Sequence, residues 1–136
     1  MTNFFISYNH QIVSKDAPLF TIANRSFCYG DGFFESIRIT GAEMPFIKNH
    51  FERIKETAAV LEISLPHDLT IESIQQTVKL LSEKNGIGAE GKVRINFFRN
   101  DGGLYAPESS NCSVIIDVLP FNAEQGYELN TKGLKV

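Results

Sequence analysis

Phe33-Phe34-Glu35-Ser36-Ile37-Arg38-Ile39-Thr40 alternates along its whole length. Phe33, Glu35, Ile37 and Ile39 fall on one side, and Phe34, Ser36, Arg38 and Thr40 on the other. That period of two belongs to a β-strand and not to a helix. The first set is mostly apolar and is expected to face a core. The second is amphipathic and is expected to line a cleft or meet solvent. Just upstream, Gly30-Asp31-Gly32 permits a sharp turn into the strand. It is no phosphate loop, because it precedes a strand and lacks the GxGxxG and GxxxxGK[ST] spacings. Just downstream, Gly41 turns the chain into a short strand expected at Glu43 to Phe46.

Working outward, Phe4 to Tyr8 and Gln11 to Val13 read as strands joined by a tight turn at Asn9-His10, followed by a polar loop from Ser14 to Pro18. Past the central strand come two helices. Asn49 is the expected cap of the first, with Glu52 closing a capping box, and Phe51, Ile54, Ala58 and Leu61 form its buried stripe. Pro66 stops any continuation. Thr70 opens the second, where Ile71, Ile74, Val78 and Leu81 repeat the spacing until Asn85-Gly86 ends it. Lys92 to Phe98 and Ser113 to Leu119 read as strands flanking a loop, Arg99 to Asn111, that holds Gly102-Gly103 and Pro107. The order β-β-β-β-α-α-β-β predicts an α+β domain of two layers, a mostly antiparallel or mixed sheet with two helices, over residues 1–120. Residues 121–136 change character. Phe121 to Lys132 is polar with little periodicity, and Gly133-Leu134-Lys135-Val136 has the look of a strand just beginning. They read as a linker and the start of a further domain.

The 136 residues suffice for one compact domain, which buries roughly 70% of its unfolded surface, and are too few for two ordinary ones. A net charge of −3 argues against nucleic-acid binding, which calls for a basic face. No apolar run approaches the ~20 residues of a membrane span, and no basic stretch precedes Phe4-Phe5-Ile6 as it would in a signal peptide. Cys28 and Cys112 are too few for a disulfide framework and lack metal-ligand spacing; they could pair if adjacent, but a reduced, cytoplasmic chain is the simpler reading.

Few residues invite chemistry. His50 and Arg53 stand three apart beside the apolar stripe of the first helix. A guanidinium fork there suits a phosphate or carboxylate, although an Arg beside a core stripe also commonly just snorkels to solvent. His50 has no second His or Cys at helical ligand spacing, so no metal site is expected. Arg94 points away from Val93, Ile95 and Phe97, on the side of Asn96, and Arg99 leads into the Gly102-Gly103 loop; each reads equally as surface charge. No Ser-His-Asp or Cys-His arrangement can be argued from three histidines.

Taken together, Arg25-Ser26-Phe27-Cys28-Tyr29-Gly30-Asp31-Gly32-Phe33-Phe34-Glu35-Ser36-Ile37-Arg38, a short hairpin, and then His50-Phe51-Glu52-Arg53-Ile54-Lys55-Glu56-Thr57-Ala58 resemble the N-terminal domain of class IV aminotransferases. These are the fold-type IV pyridoxal phosphate enzymes: branched-chain aminotransferases, D-amino acid aminotransferases and 4-amino-4-deoxychorismate lyases. The resemblance runs from the Asn9 hairpin to Pro120. It implies pyridoxal 5'-phosphate as cofactor, with Arg53 on its phosphate, and places Tyr29, Phe34, Arg38 and Arg94 on the substrate side. It implies a homodimer acting on an amino acid or aminodeoxychorismate, in which the Asp101 to Ser109 loop reaches a neighbouring site. No nucleic acid or membrane partner is expected.

Two departures bear on the reaction. D-Amino acid aminotransferases trap the substrate carboxylate with an Arg and a His where this chain has Leu104 and Ala106, and Leu104 also replaces an Arg frequent in the lyases. The family's Schiff-base lysine falls beyond Val136, and neither Lys132 nor Lys135 is assigned that role, so the chain alone is expected to be inactive. The short hairpin puts the lyase marginally ahead of a branched-chain type aminotransferase. The alternative from another class is a non-catalytic dimerisation or metabolite-binding module.

Overall fold

The computed structural model describes residues 3–122 and 131–133. Five strands form one sheet: β1 (Phe5–Tyr8), β2 (Gln11–Ser14), β3 (Gly32–Ile39), β4 (Gly91–Arg99) and β5 (Cys112–Pro120). Their order is β2-β1-β5-β4-β3, and every neighbouring pair is antiparallel. Three helices complete the domain: α1 (Arg25–Tyr29), α2 (Ile47–Val60) and α3 (Ile71–Asn85). The α+β class follows as expected. The β1–β2 turn is built by Asn9 and His10, both at positive φ (46° and 68°), the left-handed twist a two-residue hairpin requires.

Alternation along β3 sets the layers. Ile37 and Ile39 are buried with Val93, Ile95 and Phe97 of β4 and Val114, Ile116 and Val118 of β5. Against this face lie Ile54 and Ala58 of α2 and Ile74, Val78 and Leu81 of α3. Each large aliphatic side chain buried here contributes about 1.5–3 kcal/mol. Asn85 ties the last turn of α3 to the sheet: its amide accepts from Phe5 N at 2.8 Å and donates to Phe5 O at 2.9 Å. On the opposite face, Ile6, Phe98 and Ile115 pack with Tyr8, Val13 and Leu19.

Several sequence expectations need correction. Among the described residues three helices are present, not two, because α1 occupies the segment that leads into β3. Asn24 caps it, accepting from Phe27 N at 3.1 Å, and Gly30 ends it at φ 64°. Five residues are too few for any periodic signature. Glu43 to Phe46 is not a strand: only the pair Thr40↔Glu43 bridges, around Gly41 and Ala42 at positive φ, and Pro45 has no N–H to extend a ladder. α2 starts two residues before Asn49, at Ile47, after Phe46 in the left-handed region and without a side-chain cap. Ile47 packs against the core, and that burial outweighs a cap worth ~1 kcal/mol. Leu61 lies outside the stripe: α2 ends at Val60, Glu62 turns at φ 54°, and Ile63 is buried instead. α3 matches the expectation, with a Thr70–Ser73 capping box and Gly86 at φ 64°. The strand expected from Gly133 to Val136 lies outside the described residues beyond Gly133.

Candidate functional site

β3 is an edge strand, so its two faces lie close to one another around an exposed margin. On the helix side of that margin sit Glu35, His50 and Arg53. Glu35 occupies a core-facing position of β3 and is buried. Its Oε2 accepts from Arg53 Nε at 3.0 Å, Oε1 accepts from Arg53 Nη2, and His50 Nδ1 lies 2.6 Å from Oε1. One turn of α2 therefore delivers both residues of the His-x-x-Arg spacing to one carboxylate. With the carboxylate ionised, His50 Nδ1–H is the donor to it. The Arg53 side chain remains 63% exposed. Glu35 takes its Nε–Nη2 edge, so the Nη1 N–H groups at the end of the fork are not used by Glu35.

Burial alone would push the Glu35 carboxyl up, but hydrogen bonds from Arg53 and His50, with their charges, outweigh it and hold it below the usual carboxylate value; Glu35 in turn raises Arg53. A carboxyl depressed in the folded state stabilises above its unfolded pKa, and that contribution disappears as pH falls through the folded value. Glu35→Gln is therefore expected to flatten the acid limb of the stability profile. Denaturant unfolding at about pH 7 and about pH 3 checks it. An acid sensitivity equal to that of the unmodified chain would remove Glu35 as a contributor.

On the open side of the same margin lie Phe34, Arg38 and Arg94. Arg94 stacks its guanidinium 4.0 Å from the centroid of Phe34 and donates from Nε to Asn96 Oδ1 at 3.2 Å. Arg38 is set back along β3, pairing with Glu90 at 3.4 Å and lying 5.0 Å above the Phe121 ring. Tyr29, at the end of α1, lies under Arg25 (4.8 Å) and beside Tyr105 (5.8 Å). The five residues singled out by sequence thus fall into four places: Phe34 with Arg94, Arg38 with Glu90 and Phe121, Tyr29 with Tyr105, and Arg53 across the strand.

Sequence reasoning missed Glu35 as a partner, although an acidic residue among apolar ones on a core face was the available signal. It also read Arg99 as equally a surface charge. Arg99 is buried, and its Nε donates to Asp31 Oδ2 at 3.0 Å. Cys28 and Cys112 are both free thiols; burial pushes Cys112 up to about 11, which makes it a poor nucleophile. Among the described residues no group of His, Cys, Asp and Glu could hold a metal ion, and no helix is long and apolar enough to cross a membrane.

Known proteins add a consistent frame. The model of the family described as amino-transferase class IV matches residues 32–135. A D-alanine aminotransferase of Staphylococcus epidermidis is 32% identical over 87 residues, covering 64% of this chain and 29% of that protein. One from Staphylococcus haemolyticus is 28% identical over the same extent. Among solved structures, the branched-chain aminotransferase of Thermoproteus uzoniensis with norvaline superposes with a TM-score of 0.76 at 21% identity, covering 88% of this chain and 41% of that one. The Escherichia coli branched-chain aminotransferase gives 0.74 at the same identity and coverage. The chain spans less than half the length of these proteins, and at such identity the superpositions speak for the fold.

Proposed function

Because the chain belongs to the class IV aminotransferase family, we propose that it forms the phosphate-side and substrate-side domain of a pyridoxal-phosphate-dependent aminotransferase. That enzyme would move an amino group between an amino acid and a 2-oxo acid. The observation that carries the reading is Arg53. Its Nε–Nη2 edge is anchored by Glu35 while the side chain stays 63% exposed, so Nη1 remains to donate to a phosphate oxygen. Bound there, the cofactor would supply the electron sink for amino-group chemistry. Arg53 would hold its phosphate, and Glu35 and His50 would keep Arg53 in place. Phe34 would offer an apolar wall, with Arg94 and Arg38 placing positive charge where a substrate carboxylate needs a partner.

An aminotransferase replaces the lyase as the leading reading. The curated and solved relatives described above are named aminotransferases, and the two-residue turn at Gly41-Ala42 suits D-amino acid enzymes as well as lyases. The chain spans less than half of its relatives' length and none of its lysines is given the nucleophile's role, so these residues alone are expected to yield no product. The parent enzyme is proposed to be a homodimer, and to be cytoplasmic, where two unpaired cysteines persist as thiols.

Titrating pyridoxal phosphate into the chain and into Arg53→Ala tests the assignment. The variant should bind at least about tenfold more weakly, the scale of losing a charge-assisted hydrogen-bond pair. Equal affinity would take Arg53 out of the phosphate site. In the full-length enzyme, glutamate formed from an amino acid and 2-oxoglutarate supports the transferase, whereas pyruvate released from aminodeoxychorismate with no glutamate would reinstate the lyase.

A further inference from the structure

A second buried charged cluster lies away from Arg53, where α1, the end of β4 and the following loop meet. Arg25 is 2% exposed, and each of its three guanidinium nitrogens donates. Nε donates to Asp31 Oδ2 at 2.8 Å, Nη1 to the carbonyls of Gly102 at 3.0 Å and Leu104 at 2.6 Å, and Nη2 to that of Tyr105 at 3.3 Å. Arg99 shares Asp31 and donates to the carbonyls of Glu62 at 3.0 Å and Leu61 at 2.7 Å. Two buried guanidiniums thus divide one carboxylate through Nε, and main-chain oxygens accept from their Nη atoms.

We infer that Arg25, Asp31 and Arg99 are positioning residues that clamp the Gly102–Tyr105 loop and hold Tyr105 outward as a rigid rim against Tyr29. A loop whose carbonyls turn inward to a guanidinium must turn its side chains elsewhere, and Leu104 and Tyr105 are 74% and 90% exposed. The backbone agrees from the other side. Gly103 sits at φ 75°, and a Cβ there would lie 2.1 Å from Ala106 O. Large apolar side chains held outward by a fixed backbone are pre-organised for contact, because their ordering cost is met on folding rather than on binding. The consequence for substrate selection rests on Tyr29 being on the substrate side, as proposed above. The clamp itself does not.

Limited chymotrypsin digestion of the chain reads the clamp directly, since Leu104 and Tyr105 are exposed cleavage sites whose backbone must be pulled free to be cut. Arg25→Lys keeps the charge, but a compact ammonium cannot serve Asp31 and three carbonyls together. Gly103→Ala breaks the loop without touching the ion cluster. Each should raise initial cleavage after Leu104 or Tyr105 at least about tenfold with no matching rise elsewhere, and the double variant should gain little more. Unchanged loop cleavage in Arg25→Lys, or a rise spread evenly over the chain while Gly103→Ala opens the loop, would overturn the clamp. No cofactor or product is measured, so failure here and failure of the proposed activity are separate results.

Discussion

Asp31→Ala should cost about 3–5 kcal/mol of folding stability, the range for breaking a buried ion pair from one side. Asp31 is the sole carboxylate that the described ion pairs give to Arg25 and Arg99, whose side chains are both under a tenth exposed. Removing it leaves two positive charges facing each other in the interior with only carbonyl dipoles to balance them. Main-chain oxygens satisfy donors but supply no net charge. Asp31→Asn retains an acceptor of the same shape, so it should fall between the unmodified chain and the alanine variant. Urea unfolding measures all three. A loss below about 1 kcal/mol for Asp31→Ala, the scale of a solvent-exposed pair, would mean that water reaches the cluster and that burial is not what makes the carboxylate necessary.

How far the sequence carried differs between these elements for physical reasons. β3, β4 and α3 were legible because each repeats a period along most of its length, and α3 is bounded as well by residues with a stereochemical reason to be there, Thr70 and Gly86. α1 was not, since one turn has no period. The start of α2 was misplaced because Asn49 is a good cap in isolation, while the position of Ile47 on the core is a tertiary fact. Among candidate site residues, Arg53 was singled out by the family resemblance that its His-x-x-Arg motif carries, since its spacing from His50 alone left a surface residue open. Glu35 and Arg99 were harder: their partners lie 18 and 68 residues away, and nothing in a single sequence says which charges meet. Asp31 illustrates the same limit. As one letter between two glycines it reads as a turn, and only the fold shows it between two buried arginines.

Phe97→Ala should be similarly costly, about 3–5 kcal/mol, for a different reason. Phe97 is 1% exposed in β4, stacks on Phe33 at 4.6 Å with the rings 13° apart, and pairs across to Val114. Close backbone packing limits relaxation around it: a Cβ on Gly32 would stand 2.4 Å from the Phe97 carbonyl oxygen, so β3 and β4 are already in intimate contact. The void left by the ring therefore stays largely open, and lost transfer energy and lost contacts add. Phe34→Ala is the informative control. It removes the same ring from the adjacent strand but from the open face, where Phe34 is half-exposed and contacts Arg94, so its stability cost should stay near the few tenths to about 1 kcal/mol of an exposed cation–π pair. Because a slip of one residue exchanges the faces of a strand, a reversed order of the two variants would place Phe34 in the core. It would also withdraw the open face on which Phe34, Arg38 and Arg94 are proposed to meet the substrate.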